Sequence, residues 1–167
     1  MNIAKMIVAV GGACATFIAL SSIHPWGDVR GSTHAPDALL TGSDVPPNVR
    51  HVLEAKCADC HSSNTEWPLY SKVAPGSWLV ERDVHAGRTE LNLSEWQRYS
   101  VETQIDLLTR IGSEARNAQM PLKQYLILHP QARLTGEEQE LLYVWTKSER
   151  KRIKQKLATH PDTPSGN

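Results

Sequence analysis

The sequence has few cysteines and no excess of charge of either sign. Its 167 residues include three cysteines, and its 18 lysines and arginines are matched by 18 aspartates and glutamates. Three cysteines are too few for the disulfide framework of a small secreted domain, and too few for a four-ligand zinc site without several histidine ligands. The balanced charge argues against a nucleic-acid-binding protein, which would show a basic excess and a matching motif.

The sequence also lacks internal repeats and any sustained alternation of apolar and polar residues, the pattern typical of strands. Apolar residues recur instead at helical spacing, so the fold class expected is mostly α. Residues 117–130, interrupted by Pro121 and Pro130, are expected to be mostly loop. The expected helices run from a cap at Ser43 or Asp44 into Cys57, over 75–86 with Gly87 as the stop, over 101–116, and from a capping box at Thr135 and Glu138 to about residue 157.

One long stretch without charge lies near the N-terminus. Residues 6–23 contain no charged residue and follow Lys5. About 18 apolar residues are marginally long enough to span a bilayer and are long for the core of a secretory signal. We interpret residues 1–23 as an uncleaved membrane anchor or a signal peptide, and favour the anchor, because Ala19 and Ser21 make only a weak cleavage site. Either interpretation places the rest of the chain outside the cytoplasm.

The chain after this stretch divides by composition. Residues 24–42 are rich in proline, glycine and aspartate and are expected to be a linker. Residues 43–158 hold the helical patterns and are expected to form one domain, and residues 159–167 a flexible tail. Because Cys14 lies in the N-terminal stretch, Cys57 and Cys60 are the cysteines left for the folded domain.

Those two cysteines belong to the run Cys57-Ala58-Asp59-Cys60-His61. Cys-x-x-Cys-His is the signature of haem c attachment, in which each thiol adds to one vinyl group and the histidine is the proximal iron ligand. A thioredoxin-like redox pair would need a βαβ setting, and a zinc knuckle would need two further nearby ligands. The run therefore predicts one covalently bound haem c, which agrees with an exported domain.

The second axial ligand of the iron is open to several interpretations. Met120 precedes Pro121 in an expected loop, and a loop thioether facing the proximal histidine is the usual arrangement in small cytochromes c. The alternative for Met120 is core packing. His129 and His85 are the rival ligands, with a loop hydrogen bond and a surface position as their ordinary roles. An iron without a second protein ligand is the remaining possibility.

Aromatic and basic side chains are expected around the haem as well. Six aromatic residues are expected to line the haem or fill the core: Trp67, Tyr70, Trp78, Trp96, Tyr125 and Trp145. Haem is flat and apolar except for its propionates, so aromatic walls suit it. Arg82, Arg88 or Lys72 is expected to pair with a propionate.

These residues together resemble the haem-binding domain family, a group of small bacterial single-haem proteins related to cytochrome c. The resemblance runs through residues 57–96, with the segments Trp-Pro-Leu-Tyr-Ser and Ala-Pro-Gly-Ser-Trp-Leu-Val, and resumes at Gln119-Met120-Pro121, Tyr125 and His129-Pro130. It covers roughly residues 45–147. It implies a cytochrome c-like helical domain, with Cys57, Cys60 and His61 as haem residues and Met120 as a candidate ligand. It implies no defined reaction.

The function expected is that of an electron carrier and not of an enzyme. A c-type monohaem cytochrome would sit on the periplasmic side of the bacterial inner membrane, anchored through residues 1–23, or be soluble in the periplasm if these are cleaved. It would pass electrons to a redox partner protein of unknown identity. The alternatives are a peroxidase-like haem enzyme, with His85 or His129 as the distal acid or base, and a haem-based sensor with an exchangeable sixth ligand.

Overall fold

The computed structural model describes residues 2–27, 29–30 and 39–159. Within these residues the chain is helical and contains no β-strand, which confirms the mostly α fold class. Seven α-helices follow one another: α1 (Ile3–Ser21), α2 (Pro47–Lys56), α3 (Ala58–His61), α4 (Gly76–Glu90), α5 (Val101–Arg116), α6 (Lys123–Leu128) and α7 (Gly136–Thr159). Short 3-10 turns cover Leu69–Lys72, Leu93–Arg98 and Pro130–Ala132.

The hydrophobic core lies where α2, α5 and α7 meet the turn at Leu93–Arg98. Its members are almost completely buried and come from all four elements: Val49, Val52, Leu53, Leu93, Trp96, Leu107, Leu108, Leu142 and Trp145. Trp145 Nε1 also donates a hydrogen bond to the Asp44 carbonyl at 2.8 Å. The long helices α5 and α7 therefore form a scaffold against which α2 and the turn at Leu93–Arg98 pack.

Helix α5 and the start of α7 form as their local sequence predicts. Helix α5 has the expected bounds, and the Ser100 hydroxyl caps it by accepting a hydrogen bond from the Thr103 amide. The capping box of α7 is also confirmed. The Thr135 amide donates to Glu138 Oε2 at 2.8 Å, and the Glu138 amide donates to Thr135 Oγ1 at 3.2 Å.

Other helix ends differ from the prediction. Neither Ser43 nor Asp44 caps α2, which begins at Pro47 after Pro46. Helix α4 continues through Gly87 to Glu90, so Gly87 is not a stop. Residues 117–130 contain the short helix α6. Helix α4 runs past Gly87 because the absence of a side chain there lets the helix pack closely against Cys60.

Helix α1 has the length and composition of a membrane-crossing helix. It is 19 residues long with a mean hydropathy of 2.0, and none of its residues is buried. In the predicted linker, residues 28 and 31–38 lie outside the described part of the chain, whereas Leu39 and Leu40 join the core. The predicted tail lies outside it too, apart from Thr159.

Candidate functional site

A mostly apolar cleft of about 380 Å³ lies beside α3, a volume within the usual range for ligand pockets. Cys57, Cys60, His61 and Met120 all line it, so the structure brings the four predicted site residues together. Aliphatic side chains from α2, α5, α7 and the connecting segments form much of the remaining wall: Leu53, Leu91, Leu93, Leu107, Ile111, Ala115, Leu122, Leu134 and Leu142. This composition suits a large flat apolar group.

The two thiols are presented on a single helical turn. Helix α2 ends at Lys56, Cys57 has a φ of −124°, and α3 then begins. The His61 amide donates to the Cys57 carbonyl at 3.0 Å, which closes the turn around both cysteines. Neither thiol forms a disulfide. Burial raises the pKa of Cys57 to about 12 and that of Cys60 to about 11, so both are neutral thiols at physiological pH.

The imidazole of His61 is oriented by the end of α4. Its Nδ1 lies 3.1 Å from the Leu91 carbonyl oxygen. A carbonyl only accepts, so Nδ1 carries the proton and the lone pair is on Nε2. Burial lowers the pKa of His61, which favours the neutral ring. A neutral histidine whose other nitrogen is held by a carbonyl is the usual state of a metal ligand.

Gly87 allows α4 to approach this turn. A methyl group at position 87 would lie 2.5 Å from the Cys60 carbonyl oxygen, well inside van der Waals contact. Gly87 was expected to be a helix stop, and this packing role was not predicted. The available signal was a glycine within a helical pattern, which often marks a packing requirement.

Met120 reaches the cleft from the loop that follows α5. The amides of Gln119 and Met120 both donate to the Glu114 carbonyl, at 2.9 and 3.3 Å. These bonds turn the chain back over the end of α5. The Met120 side chain is 37% exposed and lines the cleft together with Pro121. A thioether at this position is available to a bound group.

The rival histidines lie elsewhere. His129 Nε2 is 2.6 Å from the Tyr70 hydroxyl, and its ring stacks on Tyr125 with 4.3 Å between centroids. His129 lines a smaller neighbouring cavity and not the cleft. His85 is exposed on α4 and does not line the cleft either. His129 therefore makes a hydrogen bond and His85 lies at the surface, which are the ordinary roles expected for them.

The cations expected beside a propionate are not in the cleft wall. Arg82 pairs with Asp83, Arg88 donates to the Ser62 carbonyl, and Lys72 is exposed. Among the described residues, the cations that line the cleft are Lys56 and Arg110. Arg110 was missed, although its helical spacing from Leu107 and Glu114 places all three on one face of α5.

The six aromatic residues divide between the cleft, the core and other contacts. Tyr125 lines the cleft and donates to Asp59 Oδ2 at 3.2 Å, within the attachment run. Burial and the Asp59 charge raise the pKa of Tyr125, so it remains a neutral donor. Trp96 and Trp145 are core residues. The remaining three, Trp67, Tyr70 and Trp78, contact segments outside the cleft wall.

The residues of the cleft fit a haem. Two free thiols on one turn, a neutral imidazole with an available nitrogen and an apolar wall are the donor set and surroundings that haem attachment needs. The family described as haem-binding domain matches residues 15–148, most of the chain and all of this cleft. No curated protein and no solved structure matches the chain.

Proposed function

The chain belongs to the haem-binding domain family, and from this membership we propose that it is a c-type monohaem cytochrome that transfers electrons in the periplasm. The observation that carries the proposal is the convergence of Cys57, Cys60, His61 and Met120 on one apolar cleft. The two cysteines would hold the haem through thioether bonds. His61 Nε2 and the Met120 sulfur would be the two protein ligands of the iron.

Bound haem supplies an iron that cycles between its ferrous and ferric states. The protein would position the haem and tune its reduction potential. The Leu91 carbonyl fixes the ring and tautomer of His61, which makes Nε2 a better electron donor. The apolar wall from α5 and α7 excludes water, and a thioether ligand favours ferrous iron and raises the reduction potential. Arg110, which lines the cleft and pairs with Glu90 at 2.8 Å, is a cation that could hold a haem propionate.

Electron transfer is favoured over an enzymatic role by Met120, whose thioether in the cleft is available to fill the second iron position. A peroxidase-like enzyme would need an open iron position with an acid or base beside it. Neither His129 nor His85 reaches the cleft. We therefore propose an electron carrier without a substrate on the iron, attached to the membrane by α1 and exchanging electrons with a partner protein.

The experiment compares the purified haem protein with the Met120→Ala variant. The wild type should keep its haem through denaturing electrophoresis and, in the ferric state, should show the weak far-red absorption band of methionine-ligated iron. Met120→Ala should lose that band, bind carbon monoxide rapidly in the ferrous state and have a lower reduction potential. A wild type without the band that also binds carbon monoxide rapidly would refute the electron-carrier proposal and favour an enzyme or sensor.

Two sets of variants serve as controls. His129→Gln and His85→Gln should retain the band, because neither side chain lines the cleft. If the wild type lacks the band, rapid binding of carbon monoxide by one of these variants alone would assign the ligand to that histidine. The double variant Cys57→Ala, Cys60→Ala should release its haem on denaturation. Retention of haem by that variant would contradict thioether attachment.

A further inference from the structure

The end of α1 is fastened to the haem domain. The Ala74 amide donates to Ser21 Oγ at 3.1 Å, and Trp78 Nε1 donates to the Ile23 carbonyl at 2.9 Å. Ser21 is the last residue of α1, and Trp78 lies in the first turn of α4. The N-terminus of α4 therefore sits against the point where α1 ends.

A buried ion pair strengthens this attachment. The Glu81 side chain is completely buried, and its carboxylate accepts from His24 Nδ1 at 3.0 Å and Arg30 Nε at 3.1 Å. A buried carboxylate that loses its partners strongly destabilises the folded state, so this contact is held firmly. The Arg30 guanidinium also lies 4.4 Å from the Trp67 ring centre. The described residues after α1, 22–27 and 29–30, are thus docked on the domain, and we call them the strap.

The surface of helix α1 is exposed along residues 3–20. Its 19 residues, none of them buried, extend about 28 Å at 1.5 Å per residue, close to the thickness of a bilayer's hydrocarbon core. A helix of this kind that crosses a membrane leaves it near its last apolar residues. Ala74 and Trp78, bonded to that end, would then lie at the lipid surface. Tryptophan is enriched at such interfaces.

Exposed apolar side chains surround the same point. Val73 and Leu79, the neighbours of Ala74 and Trp78, are 42% and 41% exposed, and Leu69 is 80% exposed. Leu79 lines a small cavity together with Leu128, which is 59% exposed. We name these four residues the apolar face. A group of exposed apolar residues beside a membrane helix is a candidate interaction surface.

We propose that α1 is retained as a membrane helix and that the apolar face rests on the lipid surface from which α1 emerges. The strap fixes the orientation, so the domain is held against the bilayer in one position. The occupant of the face is lipid because Val73 and Leu79 adjoin Ala74 and Trp78, the two residues bonded to the end of α1. This inference rests on the membrane attachment in the proposed function and adds the face and its orientation.

The test uses the full-length haem protein in nanodiscs of phosphatidylcholine and phosphatidylglycerol. In a Cys14→Ser background, a nitroxide spin label is placed at Leu79→Cys, at Leu128→Cys, or at Lys147→Cys on the exposed side of α7. Collision of each label with oxygen, which partitions into lipid, is compared with collision with a water-soluble nickel chelate, on the ferrous protein. The labels at 79 and 128 should favour oxygen several-fold relative to the label at 147.

Three outcomes would overturn the proposal. Equal access of the chelate to positions 79 and 147 would show that the face is in water. Shielding of position 79 from both agents, with spin–spin broadening between labels, would show that a second copy covers it. The intact mass of the chain from native membranes is also measured. A mass that corresponds to a chain starting after Ser21 would show that α1 is removed.

Two variants, Glu81→Gln and Trp78→Phe, test the role of the strap. Trp78→Phe keeps an aromatic ring but loses the hydrogen bond to the Ile23 carbonyl. Both should raise access of the chelate to position 79 several-fold and leave the haem spectrum unchanged. If Glu81→Gln does not fold, Trp78→Phe decides, and unchanged access in that variant refutes the strap. The haem spectrum tests the proposed function, and the accessibility of position 79 tests the membrane-facing surface. The two proposals can therefore fail independently.

Discussion

The hydrogen atom that serves as the side chain of Gly87 sets how closely α4 approaches the haem-attachment turn. A methyl group there would lie 2.5 Å from the Cys60 carbonyl oxygen, a backbone atom that can move only if α3 moves. Ala would gain about 1 kcal/mol in helix propensity, whereas overpacking typically costs about 1–3 kcal/mol. Because the contact is to backbone, we expect the steric cost to exceed the gain.

We predict that Gly87→Ala lowers the free energy of unfolding by up to about 2 kcal/mol and lowers the yield of attached haem. Denaturant unfolding and the haem-to-protein ratio measure the two effects. Gly136→Ala is the matched control, since a methyl group at position 136 meets no atom within 4 Å. If Gly87→Ala proved as stable as Gly136→Ala, with full haem content, the packing account of Gly87 would be wrong.

At this scale the sequence predicts chemistry better than packing. The attachment run predicts Cys57, Cys60 and His61 by residue type and spacing, and all three line the cleft. The roles of Gly87 and Arg110 depend on which elements meet in space, so a local pattern does not contain them. The same limit explains why the sequence does not show that Arg82, Arg88 and Lys72 lie outside the cleft wall.

At the scale of elements, the start of α7 depends on a few side chains. Thr135 and Glu138 exchange hydrogen bonds in the capping box, and Lys56 Nζ lies 3.1 Å from Glu138 Oε2. Burial tends to raise the pKa of Glu138, but the Thr135 amide and Lys56 outweigh it and lower that pKa below its usual range. A carboxylate with a lowered pKa stabilises the fold only when it is ionised.

We predict that Glu138→Gln destabilises the protein by about 0.5–1 kcal/mol at neutral pH, because it loses the charge that Lys56 and the helix N-terminus favour. The difference from wild type should shrink as the pH falls through the lowered pKa, where the wild-type carboxyl is protonated too. Unfolding free energies measured from neutral to strongly acid pH check this. A difference that did not depend on pH would contradict the assigned charge role.

Helix ends show where prediction from sequence succeeds. Helix α5 and the capping box of α7 are set by neighbouring residues, and both were predicted. Helix α6 was missed because its six residues lie between prolines, and only Leu126 among them is buried. Helix α2 begins after Pro46 without a side-chain cap, because Asp44 contacts α7 through its backbone instead.

At the scale of the whole molecule, the packing of α5 on α7 supports both the core and the cleft wall. The helices come close at Gly112, where an added methyl group would clash with Thr146 Oγ1. Thr146 is buried, and its hydroxyl donates to the Tyr143 carbonyl at 3.0 Å. The fit between the two helices therefore depends on this pair.

We predict that Gly112→Ala destabilises the protein by about 1–2 kcal/mol, and that Thr146→Ala added to it recovers part of the loss by removing the hydroxyl. A double-mutant cycle of unfolding free energies measures the coupling. Thr146→Ala alone serves as the control, since it loses only its own contacts. Strict additivity of the two changes would show that the pair does not limit the approach of the helices.

The sequence indicates a membrane helix and a mostly α domain, but not how they join. The residues that join them, His24 and Arg30 to Glu81, are more than 50 positions apart. The length of a stretch without charged residues can be read from the sequence. An ion pair between distant segments can be identified only in the folded structure.

Because the strap holds the domain against the end of α1, the cleft would travel with the membrane helix. Its encounters with partners in the same bilayer would be a two-dimensional search, in which the effective concentration depends on surface density. The rate of reduction by a donor in the same membrane should then change with the lipid-to-protein ratio and stay constant when the sample is diluted. The protein would transfer electrons between proteins of the same membrane and would not diffuse between membranes.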